Sequence, residues 1–357
     1  MNRTAGSDTI HLVGSIAMDN CDQVFREISA ELGAYLDKIP DGETGERARW
    51  IYFQRTMLLE HPTMEIDTTV AEMKLYQWDG KFLRSLPLLR FKEDIDPDSV
   101  EFTTGYDQAA EYSYGIFKRL RSEGLIPDQV RFQVCLPTPM ASCYMYVSHK
   151  AYDDYLSVYL KSLLNALNRI LDKIPHEDLC IQYDVCQEVL TFENYFPHRP
   201  ADYKEQIFTE LAVLGDSVPA DVKLGYHLCY GTPYDEHLVM PKDAGILVEL
   251  MNGIVDGVRR QVDFLHIPVP RERTDPAYFI PLKRFEGDAR LYLGLIHYDD
   301  EDGDLQRMEV AQNFITDFGV GTECGWGRTD PKRVPGLLAS HRKAAEALKH
   351  LPEAVST

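Results

Sequence analysis

His227 and Cys229, in DVKLGYHLCYG, stand two residues apart at the end of a strand-like run. Side chains at i and i+2 of a strand share a face, so an imidazole and a thiol are directed to one point. Cys324, in VGTECGWGR, ends a second apolar run, NFITDFGVG, and supplies another soft donor. One histidine and two cysteines from separate strands form an incomplete tetrahedral zinc shell with an open position, the arrangement of a catalytic rather than a structural site. Paired C-x-x-C knuckles, usual in structural zinc sites, are absent. The competing explanation of the same residues is a buried histidine with two inert core thiols.

A metal held this way has a definite chemistry. A free thiol titrates near pH 8.5 and is mostly protonated at neutrality; coordination to Zn²⁺ deprotonates it and aims its sulfur at an electrophilic carbon. Two cysteine thiolates also lower the Lewis acidity of the metal. Sites that activate water more often carry neutral histidines or a carboxylate, so this ligand set favours alkyl transfer over hydrolysis.

Composition narrows the setting. The chain has 357 residues, 44% of them hydrophobic, and a formal charge of −20, so a full core is expected and a phosphate-tracking or anionic-membrane surface is not. Seven scattered cysteines, an odd number with no recognisable secretory leader, point to reduced thiols and a cytoplasmic protein. No apolar run approaches a membrane span.

The elements that must position these residues follow a βα rhythm. Strands are expected at 9–15, 34–42, 129–137, 179–185, 222–229, 262–269, 290–297 and 317–324, with helices between them such as 152–174, 203–215 and 244–261. Eight alternating units predict an α/β fold, a (β/α)8 TIM barrel formed by the whole chain. No G-x-G-x-x-G follows the first strand, which weighs against a dinucleotide site. Residues from about 55 to 105 break the rhythm and read as an insertion after the second strand, with a hairpin around Asp79-Gly80. Ser15, Asp41, Glu43, Asp184, His227, Cys229, His297 and Cys324 all fall at carboxyl ends of expected strands, where barrel enzymes carry their active sites. Arg271 and Arg273, after the sixth strand, are candidates to clamp a carboxylate or phosphate. The acidic run YDDEDGDLQ lacks the ligand register of an EF-hand and reads as solvated charge.

Taken together these strand-end motifs resemble the cobalamin-independent methionine synthase family, specifically its catalytic C-terminal barrel, over about residues 10 to 345. His227-Leu228-Cys229-Tyr230 is similar to that family's H-x-C-Y zinc motif, and Cys324-Gly325 with Arg328 to its final C-G segment. The resemblance implies that Val13-Gly14-Ser15 holds a thiol substrate, that Glu43 in PDGETGERARW binds substrate, and that Asp184 in IQYDV grips a substrate amine. It also implies His297, in LGLIH, as a proton donor, with Zn²⁺ as cofactor and a methylated folate among the alkyl donors. The family's glutamate ligand on the sixth strand is replaced here by Pro268. His266 lies on the same face about 6–7 Å back along the strand and is a fourth-ligand candidate only if the register shifts. No pterin-stacking aromatic is recognisable in CLPTPMASCYMYV, where Tyr144 and Tyr146 are the nearest candidates.

The expected activity is thus a zinc-dependent thiol methyl- or alkyltransferase acting on a small-molecule thiol, with no nucleic-acid or membrane partner and the oligomeric state open. Three alternatives remain at this level. They are a carbon–sulfur lyase adding a thiol to an epoxide or alkene, a metal-free barrel of the uroporphyrinogen decarboxylase kind, and a non-catalytic binding protein.

Overall fold

The computed structural model describes residues 8–233 and 236–350. Its centre is one seven-stranded parallel sheet. The strands are β1 (Lys38–Pro40), β6 (Arg131–Pro137), β7 (Leu179–Val185), β8 (Lys223–Leu228), β9 (Phe264–Pro268), β10 (Arg290–Ile296) and β11 (Phe318–Thr322), in that spatial order. The labels β2 (Met64–Ile66), β3 (Met73–Tyr76), β4 (Phe82–Leu86) and β5 (Leu89–Phe91) belong to strands of the insertion. All seven residues of β7 are buried, as a parallel strand covered on both faces requires. Amphipathic helices supply that cover. The helix Tyr152–Lys173 buries Tyr155, Val158, Tyr159, Ser162, Leu163, Ala166, Leu167 and Ile170, a three- and four-residue spacing that makes one face. Asp153 and Asp154 in its first turn and Lys173 in its last complement the helix dipole.

Seven of the eight expected strands are therefore present, and the first differs. Segment 9–15 makes a single bridge, Ile10 to Val320 of β11, rather than a ladder. His11 N donates to Val320 O at 2.9 Å, and Val320 N to Thr9 O at 2.9 Å. Towards β1, Thr9 N and Ile10 N both donate to Tyr35 O, and Ile16 N donates to Gly42 O at 2.8 Å. The segment thus bonds to β11 and to residues that flank β1, Tyr35 and Gly42, and its middle is too irregular for repeated pairing. Gln133 fills part of that gap with its side chain, donating to Leu12 O at 3.0 Å and Val13 O at 3.1 Å.

Within residues 55–105, β2 pairs with β5 and β3 with β4, each antiparallel and outside the main sheet. The expected hairpin is the β3–β4 pair. Its turn is closed by Gln77 N to Lys81 O at 2.9 Å, with Gly80 at φ +84°. The acidic run near 300 is not merely solvated. Asp300 and Asp304 both accept from Arg307, which is fully buried, and Asp304 also accepts from His297 N at 2.9 Å. A buried guanidinium needs such partners. Among the described residues no helix is long and apolar enough to cross a membrane.

One buried acid has a measurable consequence for stability. Glu188 is fully buried, and neither of its carboxyl oxygens has a hydrogen-bond partner among the described residues. Burial pushes its carboxyl up to about 7 and, with the neighbouring Glu188 charge, that of Glu210 up to about 8. Both raised values mean that the folded state holds more protons than the unfolded chain between about pH 4.3 and these values, so stability falls as pH climbs through that window. Glu188→Gln should therefore raise the stability at about pH 8.5, by an amount on the order of 2 kcal/mol, and leave it unchanged near pH 4. An equal gain at both pH values in calorimetry would contradict the linkage.

Candidate metal centre

The parallel register brings the candidate residues to one end of the sheet. Asp184 of β7 stands opposite His227 of β8, which stands opposite His266 of β9. Cys229 follows β8 directly, its N bonded to Val185 O at 3.0 Å, and Cys324 follows β11. The ligand atoms of His227, Cys229 and Cys324 lie within 4.8 Å of one another. The two sulfurs are 3.7 Å apart, and all seven cysteines are free. The thiol pair shares its proton unevenly. A hydrogen bond from Cys229 holds Cys324 well below the usual thiol range, while bonds with Cys186 and Cys324 push Cys229 well above it. Gly231 N lies 3.3 Å from the Cys229 sulfur, and Arg328 Nη2 3.4 Å from that of Cys324. Both are donors that stabilise thiolate.

The histidine is set for ligation by its neighbour. His227 Nδ1 and His266 Nδ1 are 2.7 Å apart, while His227 Nε2 is buried with no hydrogen-bond partner among the described residues. An orphaned imidazole nitrogen beside two thiols is costly unless a soft divalent cation satisfies it. The residues present therefore fit zinc. His266 orients His227 and is not placed as a fourth ligand. Pro268 lies in β9 with its carbonyl bonded to Tyr278 Oη at 2.6 Å. Second-sphere partners of this kind are typically worth about 10–100-fold in metal affinity. We expect His266→Leu to weaken zinc binding by about that factor, with His266→Gln between; chelator competition measures it, and parental affinity in His266→Leu would remove the orienting role.

The three donors open on a cavity of about 590 Å³ that also receives Ser15, Glu43, Trp50, Tyr146 and Asp184. Asp184 is buried, accepting from Gln182 Nε2 at 2.8 Å and Trp50 Nε1 at 3.0 Å, and burial pushes its carboxyl up to about 7. Burial and the Asp184 charge raise Glu43 well above the usual range. Glu43 sits at φ +45° and its N is bonded to Asp41 Oδ1 at 2.9 Å. That left-handed conformation costs about 1–2 kcal/mol for a non-glycine residue and is held by the Asp41 cap. Room for its carboxyl exists because residue 14 is glycine: a Cβ there would lie 3.1 Å from Glu43 Oε2 and 3.2 Å from Cys135 Sγ. Gly325 has a similar reason, since its Cβ would fall 2.5 Å from Ser15 Oγ. The Cys324-Gly325 step thus packs directly on Ser15, whose Oγ accepts from Gly327 N at 3.2 Å.

Other candidates are placed differently. Arg47 pairs with Asp41 rather than Glu43. His297 lines a second cavity of about 440 Å³, which borders the first at Thr232, Cys324 and Gly325. Its Nε2 is bonded to Val269 O at 2.9 Å, and burial lowers its pKa. Arg271 lines that same second cavity and bonds Tyr298 O and Asp299 O. Arg273 pairs with Asp275 at 2.8 Å. Tyr144 packs into the core, stacked on Tyr152 with ring centroids 4.5 Å apart, and lines neither cavity; Tyr146 lines the first. Sequence reasoning missed Trp50 as the Asp184 partner and the buried His237–Glu323 ion pair of the second cavity. Only the adjacency of Glu323 to Cys324 hinted at the latter.

No family model matches the sequence, and no curated protein matches it. Solved structures do. A B12-independent methionine synthase from Shewanella sp. W3-18-1, in complex with selenomethionine, superposes with a TM-score of 0.58 at 14% identity, over 92% of this chain and 87% of its own. A Listeria monocytogenes protein assigned as a vitamin-B12-independent methionine synthase gives 0.53 at 15% identity, over 92% and 86%. At such identities the likeness is one of fold.

Proposed function

We propose that this chain, which carries the fold of cobalamin-independent methionine synthases, is a zinc-dependent thiol alkyltransferase built as one (β/α)8 barrel with segment 9–15 as its eighth stave. The observation that carries the reading is the convergence of one orphaned imidazole nitrogen and two thiols on a cavity walled by two buried carboxyl groups. His227, Cys229 and Cys324 would hold the metal. Bound there, Zn²⁺ would keep a substrate thiol deprotonated and nucleophilic near neutral pH.

The protein's own groups do the rest. Asp184 and Glu43 receive the ammonium group of an amino-thiol, whose positive charge draws both raised carboxyls back to the ionised form. Trp50 and Gln182 hold Asp184 in one orientation through its two oxygens. Ser15 offers a hydroxyl at the same wall. As the sulfur–carbon bond forms and the donor's bond to that carbon breaks, the leaving atom takes a proton. His297, from the adjoining cavity, would serve as its donor only for a leaving group that reaches past Cys324 and only once protonated at Nδ1, since its Nε2–H is held by Val269 O. Zinc-edge X-ray absorption tests the reading. Adding a small amino-thiol should introduce one further zinc–sulfur path; a sphere unchanged by every thiol tried, with ester or amide hydrolysis instead, would sink it.

A further inference from the structure

The insertion builds part of the cavity wall, and that part is positively charged with no counter-ion among the described residues. Leu75 and Arg84 are cross-strand partners in the β3–β4 hairpin, and both line the cavity. Beside them stand Tyr52, from the helix Tyr52–Glu60, and Tyr146, from the helix Pro139–Tyr146. The Arg84 guanidinium lies over the Tyr52 ring, 5.4 Å from its centroid. Stacking of this kind fixes the guanidinium plane and leaves its N–H edge for an oxyanion.

Three buried polar atoms in this corner have no hydrogen-bond partner among the described residues: Arg84 Nε, Arg55 Nε and Tyr146 Oη. Arg55 is only 8% exposed, and its hydrogen bond is a 3.3 Å contact from Nη2 to Pro87 O. Burial pushes the Tyr146 phenol up, and the charges of Arg84 and Arg55 oppose that rise, so both guanidiniums bear on the hydroxyl. Elsewhere the chain pairs its buried cations: Lys38 with Asp37, Arg47 with Asp41, Arg307 with Asp300 and Asp304. A protein of net charge −20 has carboxylates to spare, yet none among the described residues pairs with Arg84 or Arg55. Arg55 is buried and Arg84, half-buried, has its Nε shut away from solvent; leaving both unpaired is costly, and a ligand anion is the partner that would offset it.

We infer that Arg84, backed by Arg55 and Tyr146, is a recognition site for an anionic group on the substrate that fills this end of the cavity. The inference rests on reading the cavity as the substrate site. The group is an oxyanion, planar like a carboxylate or tetrahedral like a sulfonate or phosphate, since either meets a guanidinium edge with two parallel N–H···O bonds. Because the insertion carries Arg84, the hairpin sets which substrates the metal end of the cavity receives.

Calorimetric titration of the zinc-loaded protein with acetate and with selenate, at constant ionic strength, tests this and separates the two geometries. Saturable binding of either is expected. Arg84→Gln should weaken it by about tenfold or more, with Arg84→Lys between, because a charge-assisted pair is lost. Crystals soaked in selenate should show an anomalous peak within hydrogen-bonding reach of Arg84 Nε. Neither anion binding, or parental binding in Arg84→Gln, would overturn the inference. Zinc content and binding of a neutral thiol should be unchanged in Arg84→Gln. Loss of both in that variant would instead show a structural role and overturn the inference. Anion binding in a parent protein that holds no zinc would leave this site standing and remove the thiol chemistry.

Discussion

Cys324→Ser and Cys229→Ser are each expected to bring the zinc content of the purified protein from close to one per chain to nearly none. Thiol alkylation should fall by about three orders of magnitude or more, given that a partner one shell further out is worth about 10–100-fold. The three donor atoms lie within 4.8 Å of one another; Cys186, whose thiol is hydrogen-bonded to that of Cys229, lies outside this group of three. A serine hydroxyl is too poorly ionised to replace a thiolate. The fold should survive, because the seven strands pair through their backbones and are covered by helices such as Tyr152–Lys173. Elemental analysis beside circular dichroism checks both halves. Full zinc retention in both variants would remove the cysteines from the coordination sphere.

Asp184→Asn should weaken binding of a small amino-thiol by about 10–100-fold, the range for losing a hydrogen bond to a charged group, and leave its hydroxy-thiol analogue nearly unaffected. The pH dependence carries a sign. Burial raises Asp184 to about 7, so below that pH an ammonium ligand must expel a proton to bind. Amino-thiol affinity should then climb with pH up to about 7 more steeply than in the asparagine variant, which keeps only the part of the slope set by Glu43 and by ionisation of the thiol. Equal losses for both thiols would show that Asp184 serves the architecture alone.

Seven of the eight strands were legible because short apolar runs bounded by turns are a local property. LCIQYDV and RLYLGLI could hide both faces only in a covered parallel sheet. The pairing of His227 with Cys229 was legible for the same reason: two-residue spacing at a strand end fixes which way the two side chains point before any packing is known. Loop residues behaved otherwise. Glu43 reached the cavity and Arg47 turned to Asp41 through a left-handed turn that no periodicity announces. His297 went to the neighbouring cavity and Tyr144 into the core, although each sits one or two residues from a strand or helix end.

What the sequence determined by itself was the shared face of His227 and Cys229 and the strands that carry the cluster, since both follow from side-chain alternation within a few residues. What only the tertiary structure decided were relations across strands: His266 behind His227, Trp50 on Asp184, and the hairpin bringing Arg84 to the cavity. These depend on register between segments far apart in the chain. Register is set by the summed packing of whole elements, and no local pattern contains that sum.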